Sequence, residues 1–231
     1  MKRFWKDVTV AAEDGGHGIR LDGRAVRTPG RLPLVVPSPS LAEAIAGEWR
    51  AVEGEIAPAA MRLTGLANAA VERIAADPAP HVAGIAAYGE SDLLYYRAEG
   101  PEPLVAREAA AWDSLLAWAT ARYDVHFEVT SGVMHRSQPP ATVARLAEAV
   151  AARDAFTLAA LSPIVSITGT LIGGLALDEG ATDADALWAA ATVDEAWQAE
   201  MWGEDTQAAQ SLAAKRTEYD AAVRFLGLSR L

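Results

Sequence analysis

The 231-residue chain contains no cysteine. Disulfides, thiolate metal sites and cysteine nucleophiles are thereby excluded, which suits a reducing compartment. Basic side chains are also scarce. Twenty lysines and arginines stand against 31 aspartates and glutamates, a formal net charge of −11. A nucleic-acid partner requires a basic face. The one cluster that offers it, Arg20, Arg24, Arg27 and Arg31, is expected to decorate the exposed side of a hairpin. The four histidines, His17, His81, His126 and His135, are scattered and lack metal-ligand spacing. The sequence has no phosphate loop, no G-x-G-x-x-G after a strand, no G-x-S-x-G elbow and no H-E-x-x-H. Gly15-Gly16-His17-Gly18 reads as a turn between strands, without the helix N-terminus that favours phosphate. No cofactor is expected.

The N-terminus enters a strand-like pattern directly, with neither an apolar signal core nor an Arg/Ser-rich presequence, so a cytoplasmic location is expected. One long uncharged run exists, from Ala155 to Leu177. Its length would span a bilayer. Its serines, threonines and Pro163, with Asp154 and Asp178-Glu179 at the flanks, instead fit a buried helical hairpin broken at Ser162-Pro163. Stable membrane insertion is not expected, which leaves peripheral anchoring by 155–178 as a minor alternative. Gly169 and Gly173, four apart, allow close approach of helices.

What is present is 51% apolar, ample for a core. Trp5, Val8 and Val10, then Ile19 and Leu21 alternating with Arg20 and Asp22, read as short antiparallel strands. Asp22-Gly23 is a two-residue hairpin turn. From Ser40 the pattern becomes helical, with a Ser40…Glu43 capping box and a stripe of Leu41, Ile45, Trp49 and Val52. Helices follow from Pro58 to Ile74, around 82–88, over 104–123 and 140–153, and across 183–227. The expected fold is α+β: a small β-meander domain at 1–39 and a larger α-helical bundle domain at 40–231.

One stretch fits neither core nor ordinary surface. Residues 194–205 hold two tryptophans, a methionine and five carboxylates in twelve positions, with no basic residue. Buried unpaired charge is costly, whereas aromatic anchors inside a polar rim suit docking. With 183–227 as one helix, Val193, Trp197, Met201, Ala208, Leu212, Tyr219, Val223 and Leu226 form an inward stripe. Glu195, Gln198 and Trp202 fall on a second, acidic and aromatic face. Asp194, Glu204 and Asp205 fall near the apolar stripe, which implies either a bend at Gly203 or that these acids are exposed or paired. A small hydrolase using paired carboxylates of this segment is the alternative reading.

Several stretches together resemble a known family. They are Arg3-Phe4-Trp5-Lys6, Leu21-Asp22-Gly23-Arg24-Ala25-Val26-Arg27-Thr28-Pro29, Ala46-Gly47-Glu48-Trp49, Leu63-Thr64-Gly65-Leu66-Ala67-Asn68, Ser91-Asp92-Leu93-Leu94-Tyr95-Tyr96-Arg97, and Asp194 to Asp205. In this order they resemble the ATP12 family of F-type ATP synthase assembly chaperones, in a bacterial version. The resemblance implies a non-enzymatic protein that holds the unassembled α subunit of the catalytic head. It would prevent aggregation of that subunit before pairing with β. It further implies that acidic residues of the C-terminal helical region carry the task. The matching acidic positions are Glu195, Glu200, Glu204 and Asp205, with Trp202 as their aromatic neighbour; with Gln198, which shares the second helix face, they are the expected partner-binding residues.

Overall fold

The structure, a computed structural model, describes residues 2–230. Its contacts divide the chain into two compact units: Met1–Pro78 with Asp154–Ala160 and Asp220–Leu231, and Ala79–Arg153 with Leu161–Tyr219. The first boundary thus falls near residue 78, not between 39 and 40. A sheet this small exposes an apolar face it cannot bury alone, and the following helices belong to the unit that covers it.

In the first unit, β1 (Val8–Glu13) pairs antiparallel with β2 (Gly16–Leu21), placing Val8 opposite Leu21 and Val10 opposite Ile19. The other edge of β2 takes β3 (Arg24–Ala25) and β4 (Val35–Val36). Val8, Ile19, Leu21 and Val36 are buried, as their alternation requires. Asp22 and Gly23 have φ of 47° and 79°, the pair of positive values that a tight hairpin turn demands. The Asp22 carboxylate also accepts from the backbone N–H groups of Lys6 and Asp7 at 3.0 and 2.8 Å.

Helix α1 (Pro39–Arg50) lays Leu41, Ala42, Ile45 and Ala46 into the core and packs on β1 and β2. Its cap is Ser38, two residues before the expected Ser40, with Oγ accepting from Leu41 N. Pro39 explains the shift, because proline is preorganised for the first helical position and lacks the N–H that would go unpaired there. Trp49 is half-buried, its ring edge-packed on Trp5, whose indole N–H donates to the Trp49 carbonyl. Glu48 reaches from α1 to the start of α2 (Arg62–Ala69). There it accepts from Leu63 N, Thr64 N and Thr64 Oγ1 at 2.7–2.8 Å.

The second unit contains α3 (Ala79–Ala86), β5 (Tyr96–Arg97), α4 (Glu102–Tyr123), β6 (Thr130–Ser131) and α5 (Pro140–Ala151). Strand β5 pairs in parallel with β6. Helix α6 (Ala155–Thr168) is divided between the units, and α7 (Leu171–Asp178) and α8 (Ala184–Ala191) lie in the second. The uncharged run is therefore helical, but Pro163 sits inside α6 without ending it. The break comes at Gly169, whose φ of 71° closes α6, and at Thr170, whose Oγ1 caps α7 through Gly173 N. Gly173 makes the close approach: a Cβ added there would collide with Leu187 of α8. No helix among the described residues is long and apolar enough to cross a membrane.

Asp92 joins these pieces. Wholly buried, it accepts from Leu94 N and, eighty residues away in sequence, from Ile172 N at the start of α7, both at 3.0 Å. Burial pushes its carboxyl up to about 6, against the downward pull of those amides. The motif around Asp92 thus pins the helical unit together.

Candidate docking surface on the C-terminal helices

Residues 183–227 form three helices instead of one. After α8 come α9 (Val193–Trp202) and α10 (Thr206–Leu228). Gly203, at φ 87°, ends α9, and Asp205 opens α10 by accepting from Gln207 N and Ala208 N at 2.8 and 3.0 Å. A left-handed glycine followed by a capping aspartate is a full stop and restart, more than the bend a continuous stripe allows. It also settles the two acids beside it. Glu204 and Asp205 are exposed.

The inner side of α9 packs on α4. Trp197 is buried beneath Arg107, whose guanidinium lies 4.7 Å from the ring centre. Arg107 also grips Glu200 with two hydrogen bonds, at 2.5 and 3.1 Å. Asp194 turns inward toward the buried Glu108 of α4. Burial pushes the Glu108 carboxyl up, Ala98 N pulls it down, and Asp194 raises it further. Met201, expected to face inward, is 49% exposed. Eight residues at helical pitch carry it about 80° around the axis from Val193, and α9 ends one residue later.

Five of the six predicted docking residues meet on one surface. Glu195, Gln198, Trp202, Glu204 and Asp205 line a concavity of about 570 Å³ between α9 and the start of α10. Trp202 is 78% exposed. Neither Glu195 nor Glu204 has a hydrogen bond or ion pair among the described residues. Glu200 stands apart, engaged by Arg107. Ala196, Ala199, Ala208, Ala209 and Leu212 supply the floor that the sequence reading missed. Alanine carries no chemical signal, so only the restart at Asp205 could have indicated that two helices meet there.

The remaining motifs behave differently. Asp22, Glu48 and Asp92 each spend their carboxylates on backbone N–H groups of the chain itself. Among the described residues no three His, Cys, Asp or Glu side chains are grouped to hold a metal ion.

A protein-family model described as ATP12 chaperone protein matches residues 2–120. The chain belongs to the ATP12 chaperone family. That match ends before α9, but likeness to solved structures runs through it. Atp12 from Paracoccus denitrificans is 41% identical at a TM-score of 0.93, with 99% of this chain and 98% of that one covered. A mutant of the same Paracoccus protein gives 40% identity, also at 0.93, covering 99% and 97%. A chaperone candidate from Agrobacterium tumefaciens is 42% identical at a TM-score of 0.92, covering 98% of this chain and 85% of that one. The family's α+β architecture, a small antiparallel sheet followed by helices, is the one built up above.

Proposed function

We propose that this member of the family is a non-enzymatic assembly chaperone acting in the cytoplasm. It holds the unassembled α subunit of the F-type ATP synthase catalytic head through the α9–α10 surface and keeps it from aggregating before β arrives. A subunit awaiting its partner exposes apolar surface that aggregates when bare, and a holder of such surface needs reversible affinity and no cofactor.

One observation carries the reading. Among the described residues Glu195 and Glu204 stand free beside a Trp202 that is 78% exposed, in a chain whose motif carboxylates Asp22, Glu48 and Asp92 serve its own backbone. An exposed indole within an acidic rim is a costly surface for a monomer to keep and a natural anchor for a partner.

The test is co-expression of tagged chaperone with α subunit. The wild type is expected to retain α in soluble complex, and E195K/E204K to lose it while keeping its helical circular-dichroism spectrum. Undiminished capture by the double variant would remove this surface from consideration.

A further inference from the structure

We infer that the α9–α10 concavity receives an arginine of the partner, stacked on Trp202 and paired with the rim carboxylates, with an adjoining apolar side chain on the alanine floor. The inference rests on the docking reading above and names the chemistry of what docks.

The second unit builds the same three-part arrangement three times from its own residues. Arg97 lies 4.9 Å from the Trp112 ring centre and pairs with Asp113 at 2.6 Å. Arg107 lies 4.7 Å from Trp197 and pairs with Glu200 at 2.5 Å. Arg216 lies 5.3 Å from Trp188 and pairs with Asp185 at 2.5 Å. In each, the guanidinium lies over an indole while one of its nitrogens pairs with a carboxylate, a combination for which the planar, multiply donating arginine is better suited than a lysine ammonium.

Trp202 has the indole and the acids but not the arginine. Trp5, Trp49, Trp118 and Trp188 each have an aromatic ring against them, and Trp112 and Trp197 have an arginine. Among the described residues, Trp202 has neither, while Glu195, Glu204 and Asp205 line the same concavity. A purely apolar occupant would cover those carboxylates without neutralising them, at a desolvation cost. A bare cation would leave Ala196, Ala199, Ala208 and Leu212 wet. The volume of about 570 Å³ lies in the range of ligand-holding clefts, with room for an arginine and a neighbouring side chain.

Two measurements test this. The indole N–H resonance absent from Trp202→Leu identifies Trp202 in the nitrogen-correlated NMR spectrum. Titration with acetyl-Leu-Arg-Leu-amide is expected to move that resonance at several-fold lower concentration than the Leu-Lys-Leu counterpart, and not in E195K/E204K. Equal response to the two peptides, or none to either, overturns the inference. The second is capture of α subunit, expected to fall about tenfold in Trp202→Leu and to recover in Trp202→Phe. If charge reversal abolishes capture while Trp202→Leu leaves it intact, the surface stands and the arginine is overturned. If neither variant loses capture, both fall.

Discussion

Asp92 and Glu195 are both acidic residues of stretches that carry the family resemblance, yet their surroundings are opposite. Asp92 is wholly buried, and its two oxygens hold the amides of Leu94 and Ile172. Glu195 is exposed, rims a concavity, and among the described residues holds nothing. Glu48 behaves like Asp92, capping α2 from α1. Glu204 behaves like Glu195. A recognisable motif in this chain therefore has one of two physical meanings: a carboxylate consumed by the fold, or one the fold leaves available.

Substitutions should separate the two kinds. Asp92→Ala strands two buried amides, each costing about 1–3 kcal/mol. A stability loss of about 2–6 kcal/mol is expected, read from urea unfolding. Glu48→Ala removes a cap and a side-chain hydrogen bond at a partly exposed site, and should cost about 1–3 kcal/mol by the same measurement.

Asp92 also imposes a pH dependence of unusual sign. Its folded value of about 6 lies above the ordinary 3.8, so on raising the pH the unfolded chain releases this proton first. Its contribution to stability accordingly falls as the pH rises from about 4 to about 6, and is level above that. The difference in unfolding free energy between wild type and Asp92→Asn should trace this fall. A flat difference across the window would show that Asp92 titrates normally. At the other end of the scale, E195K/E204K should shift stability by no more than about 0.5 kcal/mol, as exposed, unpaired side chains do.

Much of this division was legible from local pattern, and its limits are physical. Asp22-Gly23 announced its turn because positive φ leaves few residue choices. Glu195, Gln198 and Trp202 were placed together because i, i+3 and i+7 share a face whether or not the helix continues. The hold of Glu48 on α2 and of Asp92 on α7 was not legible, since those amide partners lie 15 and 80 residues away. Pro163 misled because a proline weakens a helix without obliging it to end there, whereas Gly169 and Thr170 supply a terminus and a new cap. The single helix over 183–227 failed for a similar reason. Periodicity runs on through Gly203, but a left-handed glycine followed by the Asp205 cap resets it.

The central claim is that the carboxylates left free by the fold serve a partner. The most direct test is the dissociation constant of purified chaperone for unassembled α subunit, measured on wild type and E195K/E204K with their urea midpoints determined in parallel. Loss of affinity at an unchanged midpoint is the predicted result. Equal affinity at an unchanged midpoint would contradict it.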